Sequence, residues 1–433
     1  MTLTKRISTT IVVAALVAAA MTTVGCSNDE TVSQQPTVAD MPIGFNVVVD
    51  NNATTRSIAT TTTSDLTEFD VWAFRADADH DYVANGSYVM GIDATRGYLF
   101  RRSSSIGVIN DSIKALGVWG YANKHQVTFW PSDGTQYMSF YAVSPSSISG
   151  TVTNRTMNVT STAPTFSYTA DEAANGSHSD QRDLLFAGTK VKLTTINKVG
   201  KDGQPWMSVP LAFQHALSEV KFDAHLVTGF PELKVVIKSI KICNVAHSGI
   251  CTIGTNNTAS WATTGSKTLS YTVKTPGAGG NGITLYTKTG VNYDGTTTPV
   301  STPVALSNGT TTGQNDDNLM IIPQTMTAWN PATTITANNG ADTPGTYLEI
   351  ECAITQNNVN LLTENHVYVP FAGTVTGSTD AWNGQWEPGK SYTYHLQFGL
   401  GYNSAGQSYG SAIQYTVSVS NDWTTPVEHT IGL

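Results

Sequence analysis

Cys26 is the first residue whose surroundings define a chemistry for it. Lys5 and Arg6 give the chain a positive start, and residues 7–24 that follow are apolar or small throughout. A charged start, an apolar stretch and a small residue at the cut, here Gly25, mark a secretory signal. A Cys just after such a cut has a thiol that can be diacylated, beside a new amino terminus that can be acylated. Gly25-Cys26 is therefore read as the signal cleavage point, Cys26 as the lipidation site, and residues 1–25 as a lipoprotein signal peptide. Thr23 stands where Leu is commonest in such signals. An ordinary signal peptide with an incidental Cys and a membrane anchor are the alternatives, and the apolar span is at the short end for a transmembrane helix. Ser27-Asn28-Asp29-Glu30 follows. It resembles the acidic tag that sends some bacterial lipoproteins to the outer face of the outer membrane.

Other candidate chemistries fail on spacing. Gly277 to Gly282 fits G-x-G-x-x-G literally, but a nucleotide loop needs a strand before it and a helix after it, and here it separates two strand-like runs. Asp77, Asp79 and Asp81 copy the start of a calcium loop, yet Tyr82 and Tyr88 occupy the positions that need Gly and Glu. The nine His residues have no metal-ligand spacing. His215, in a strand-like run, reads as a hydrogen-bonded structural residue. G-x-S-x-G is absent, and no pair of carboxylates is placed for hydrolysis. No catalytic residue, metal or cofactor is expected, and the chain is not read as an enzyme.

The elements around these residues are strands. Only 13% of residues are charged, about half the usual share, and the net charge is −9 with no basic tract. Nucleic-acid binding has no electrostatic footprint here. Short alternating runs between Gly, Asn and Thr-rich turns predict an all-β protein built of sandwiches. The 408 residues from Cys26 onward suit two domains. A polar stretch from Lys198 to Pro205 places their boundary between residues 204 and 205. Strands are expected at 69–74, 88–90, 127–130, 138–143 and 184–187, then within 209–222, 234–243, 268–274, 319–322, 347–354, 392–398 and 413–419. Residues 171–183 read as a polar insertion. Cys243, Cys251 and Cys352 remain after Cys26, so at most one internal disulfide can form. Cys243 and Cys251 flank a candidate hairpin as cross-strand neighbours or as buried small residues without a bond.

Several short runs together resemble the fimbrillin-like proteins, subunits of protease-processed type V pili. They are Val71-Trp72-Ala73-Phe74, Phe129 to Gly134, Ser139 to Pro145 and Asp183 to Ala187, then Phe213 to Ser218, Ile321 to Thr325 and Trp386 to Tyr394. Each run is weak alone, and their order and spacing through most of the chain carry the resemblance. It implies two transthyretin-like β-sandwiches in tandem, a lipid-anchored precursor, and polymerisation by strand exchange after proteolysis. The chain then divides into a tether with a removable strand (26–56), an N-terminal sandwich (57–204) and a C-terminal sandwich with a donor strand (205–433). In the family an arginine-specific, trypsin-like protease cuts after an Arg in the region of Arg56. Arg56 is the only Lys or Arg between Arg6 and Arg75, and it lies in a Thr-rich loop, where proteases cut. Carried over, the processed bond is Arg56-Ser57, and 377 residues remain after the cut.

A shared pattern in the residues points the same way. Ile43, Phe45, Val47 and Val49 alternate with polar neighbours, apart from Val48, and Ile413, Tyr415, Val417 and Val419 repeat that face. A donor strand must fill the pockets its predecessor filled, because strand side chains alternate with period two. Four such side chains are worth roughly 6–12 kcal/mol of gross burial at about 1.5–3 kcal/mol each. Any two sandwich strands can share such a face, so an internal strand is the other reading of 413–419. The expected partners are other fimbrial subunits, the same or related, the protease, the lipoprotein export machinery, and a host or bacterial surface ligand. A surface lipoprotein that binds glycan or host protein without polymerising is the alternative function.

Overall fold

A computed structural model describes residues 42–49, 66–81, 88–102, 119–131, 137–146, 155–160, 164–169, 183–192, 198–201, 204–226, 232–264, 267–271, 283–288, 291–293, 304–305, 319–335, 345–371, 384–398, 403–407, 413–420 and 427–431. They are almost wholly β, as expected. The first half holds β1 (Ile43–Val49), β2 (Glu68–Ala76), β3 (Tyr98–Arg102), β4 (Trp119–Tyr121), β5 (Tyr137–Ser144), β6 (Arg155–Asn158), β7 (Thr165–Thr169), β8 (Leu185–Lys192), β9 (Lys198–Lys201) and β10 (Gln204–His215). The second holds β11 (Ser218–Leu226), β12 (Leu233–Val245), β13 (Ser248–Ile253), β14 (Ala259–Thr264), β15 (Lys267–Tyr271), β16 (Ile283–Lys288), β17 (Val291–Tyr293) and β18 (Val304–Ala305). Then follow β19 (Leu319–Ile321), β20 (Tyr347–Gln356), β21 (Val359–Asn360), β22 (His366–Pro370), β23 (Ser391–Phe398), β24 (Gln414–Ser420) and β25 (Val427–Ile431). Alternation sets their faces: β11 buries Val220, Phe222, Ala224 and Leu226 and keeps Lys221, Asp223 and His225 half-exposed.

The first sheet runs β1-β10-β8-β5-β2-β3-β4, with β9 beside β10. Its core draws Phe45, Phe69, Phe100, Phe140, Leu185 and Phe213 from the strands of that one sheet. The sheet therefore curls on itself, and its two ends approach where the Ile43 N–H donates to the Thr128 carbonyl at 2.8 Å. A sheet ordered β18-β11-β23-β24-β25 and another ordered β17-β16-β12-β20-β21 enclose a second core.

A fourth sheet, β14-β13-β7-β6, ties the halves together, because β6 and β7 come from the first and β13 and β14 from the second. It packs Phe166, Tyr168, Cys251 and Ile253 against Trp72, Phe74, Tyr141 and Val143 on the other face of β2 and β5. Gly188 permits the close approach: a Cβ there would meet the Gly254 carbonyl oxygen at 2.0 Å. The boundary expected at 204/205 coincides with the start of β10, which pairs with β1 and β8 of the first sheet. The change of sheet comes at Ala216-Leu217. There the Ala216 N–H donates to the Leu184 carbonyl and the Leu217 carbonyl accepts from Gly389, so the run expected within 209–222 divides into β10 and β11.

Two expected strands shrink to single bridges. Met90 meets Ala73, and then Gly91 turns the chain away at φ +118°. Phe129 meets Pro42, between a 3-10 turn at Lys124–Gln126 and Pro131. Cys243, Cys251 and Cys352 are buried thiols that form no disulfide with one another, and burial pushes the Cys251 and Cys352 pKa values far up. Asp77 closes a turn by accepting from the Asp79 and His80 N–H groups, and Asp81 pairs with Lys190 at 3.0 Å. The glycine run at 277–282 and most of the polar insertion at 171–183 lie outside the described residues.

Candidate functional site

β1 ends the first sheet. It pairs in parallel with β10, from Ile43 opposite Met207 to Val49 opposite Phe213. Ile43, Phe45, Val47 and Val49 are 0–7% exposed, while Asn46 and Val48 face outward. Phe45 meets Phe69, Phe100 and Phe140 edge-on, with ring centroids 6.0, 4.7 and 5.8 Å away. A strand at the periphery of its sheet thus supplies the centre of that half's aromatic core. At its first residue, the Tyr121 hydroxyl donates to the Ile43 carbonyl at 2.8 Å. Burial raises the Tyr121 pKa, which keeps this donor protonated.

The second patterned strand is held inside its own half. β24 lies between β23 and β25 and pairs antiparallel with both. Ile413 and Val417 are buried in the second core, and Val419 packs against it. Tyr415 sits in β24 opposite Leu396 on one side and Ile431 on the other. Gly25, Cys26, Arg56 and Ser57 lie outside the described residues.

Four of the runs that carry the resemblance, at 183–187, 213–218, 321–325 and 386–394, meet at the junction of the halves. Ser218 Oγ donates to the Glu387 carbonyl (2.8 Å) and the Glu219 N–H to the Lys390 carbonyl (3.0 Å). Gly389, at φ +73°, makes the turn that brings its N–H to the Leu217 carbonyl, a conformation that glycine adopts without penalty. The Gln324 side chain accepts from the Ala246 N–H at 2.7 Å and donates to its carbonyl at 2.8 Å, as a neighbouring strand would. His215 Nδ1 lies 2.5 Å from a buried Asp183 carboxylate oxygen. Glu219 is fully buried, 2.7 Å from Lys221 Nζ, and accepts from the Ser391 hydroxyl at 2.5 Å. Burial raises its pKa, and Lys221 and Ser391 oppose the shift. Apart from His215, expected as a hydrogen-bonded structural residue, these runs carry no local sign of their role, because their partners lie as many as 172 residues away. Among the described residues no group of three or more His, Cys, Asp or Glu could hold a metal ion, and no helix is long and apolar enough to cross a membrane.

A family model described as fimbrillin-like matches residues 55–423. Among solved structures, a fimbrial protein from Bacteroides vulgatus is similar at 17% identity and a TM-score of 0.43, covering 90% of this chain and 100% of its own. The tip fimbrial protein Mfa3 from Porphyromonas gingivalis, truncated at its C-terminus, gives 10% and 0.33, covering 82% and 94%. The fimbrial anchor protein Mfa2 of that organism gives 9% and 0.34, covering 90% and 99%. No curated protein sequence matches.

Proposed function

The chain belongs to the fimbrillin-like family, and from that premise we propose that it is a structural subunit of a surface fimbria that serves adhesion, made as a lipid-anchored precursor. In this reading Cys26 carries the lipid at the outer membrane after export by the lipoprotein machinery. A trypsin-like protease cuts Arg56-Ser57 and releases β1. The segment 413–419 of another subunit, the same or related, then fills the vacated groove. The observation that carries this is the placement of β1. It is the end strand of its sheet, and it supplies four side chains that are 0–7% exposed. An end strand gives up only one ladder on leaving, here that with β10, and removing its side chains exposes an apolar trough that must be refilled. β24 is folded into its own half, so donation requires it to come away from β23 first.

The test is Arg56→Ala. It should accumulate the lipid-linked precursor and stop polymer growth, and mass spectrometry of wild-type surface material should give Ser57 as the mature amino terminus. Normal filaments from the variant, with no cut nearby, refute the processing step.

A further inference from the structure

We propose that the junction between the halves carries a binding groove for a neutral carbohydrate, a reading that rests on the surface placement proposed above but not on strand exchange. A cavity of about 490 Å³ lies there, between β14 and the segments around Gln324 and Gln385. That is the size of a small-molecule site. Its lining is hydroxyl, amide, indole and proline, with no charged side chain among the described residues. Nearby Glu387 is paired with Lys390.

The groups divide by role. Gln324 is a fixed wall, since both ends of its amide are bonded to Ala246. Trp261 is a rigid aromatic surface: its Nε1–H donates to the Ala216 carbonyl at 2.8 Å, and its ring meets Phe166 edge-on at 5.6 Å. Gly249 leaves the room it needs, as a Cβ there would come within 3.2 Å of that ring. Ser260, Thr263 and Thr325 line the same space, and all three are exposed. An anion or a nucleotide would need a cation that this lining lacks, and a lipid chain would need an apolar wall. A sugar ring suits it, because its C–H face packs on an indole while its hydroxyls bond to serine and threonine.

The experiment titrates the purified uncut chain with maltotriose, cellotriose and mannotriose by calorimetry and tryptophan fluorescence, with sialyllactose as a charged comparison. Because the uncut chain is used, the outcome does not depend on polymer formation. At least one neutral trisaccharide should bind. Trp261→Ala should weaken it about tenfold or more, the loss of one packed aromatic face. Thr263→Arg fills the groove from an exposed position, so it should abolish binding with an unchanged melting temperature, and Val359→Ser, exposed elsewhere, should bind as wild type. No binding of any neutral sugar, binding of sialyllactose alone, or equal binding by Thr263→Arg overturns the proposal. So does photocrosslinking from residue 260 that captures a polypeptide strand on the edge of β14 in place of sugar.

Discussion

β1 is hydrogen-bonded to β10 over seven parallel residue pairs, and among the described residues its other edge is hydrogen-bonded at its start, by Tyr121 and Thr128, next to the Pro42–Phe129 bridge. β24 has seven antiparallel pairs to β23 and five to β25. Both place apolar residues from the same alternating pattern in a core. They differ in what holds them. Parallel pairing is slightly less stable per residue than antiparallel, and an end strand loses one ladder on leaving where an inner strand loses two. The face of a strand and its freedom to leave are therefore separate properties. Side-chain alternation decides the first, and position in the sheet decides the second. β1 is suited to departure by its position. β24 becomes a donor only if its two ladders open.

A covalent lock on β24 breaks the comparison most sharply. Thr393 and Ser418 are directly opposed on β23 and β24, a spacing that suits a disulfide. The double variant Thr393→Cys, Ser418→Cys should give no polymer ladder on a denaturing gel when oxidised, and a normal one after reduction. The three native thiols are buried and should not compete. A full ladder from protein whose disulfide is verified by mass spectrometry would show that β24 stays in place and that another segment is the donor.

The second prediction compares the two strands by what cutting does. Phe45→Ala removes a ring packed on three others and should cost the uncut precursor about 3–5 kcal/mol. It should cost nothing once Arg56-Ser57 is cut and β1 is gone. Val417→Ala should cost about 2 kcal/mol in both forms, because Val417 is buried in the second core whether or not β1 is present. Val417→Asp would bury a charge in that same core and unfold the half, so alanine is the informative change. Urea unfolding of cut and uncut protein measures all of these. A Phe45→Ala penalty that survives cutting would mean that β1 stays docked after proteolysis.

The contrast also explains what could be read in the chain. Ile43-x-Phe45-x-Val47-x-Val49 announced a strand with one buried face, since period-two alternation is local and needs no knowledge of its partner. That β1 would lie parallel to β10, 164 residues further along, had no local sign. Tyr88 to Met90 and Val127 to Trp130 had strand composition but formed only bridges, because Gly91 and Pro131 limit the chain on one side. The break at Ala216-Leu217 was hidden for a different reason. Both residues fit a strand, and what stops the strand is the Ala216 N–H donating to Leu184 and the Ala216 and Leu217 carbonyls accepting from Trp261 and Gly389. The all-β class was legible in composition and turn spacing, whereas the tie made by β6, β7, β13 and β14 depends on pairings across the two halves. Trp261 carried no motif at all. Its role at the junction follows from the groove around it.

The smallest expected effect concerns Glu219, which stands where the two regions meet. Its carboxyl is buried at the start of β11 and bonded to Ser391 of β23, the strand that holds β24. Lys221 lies against it, and His215 contributes a weaker favourable field. Burial is the dominant cause and raises its pKa above the ordinary 4.5. The native state therefore binds more protons than the unfolded state between 4.5 and the native value. Linkage then requires that its contribution to stability is fully present below that window and is lost as pH rises through it. Glu219→Gln should flatten this part of the stability–pH curve, measured by urea unfolding from pH 4 to 7. The slope belongs to the sheet that contains β24, so it should be the same in cut and uncut protein, unlike the Phe45 effect. A slope unchanged in Glu219→Gln would show that it does not arise from this carboxyl. A slope that disappears when β1 is removed would tie the junction to the first core, and the two strands would then not be independent in the way their sheets suggest.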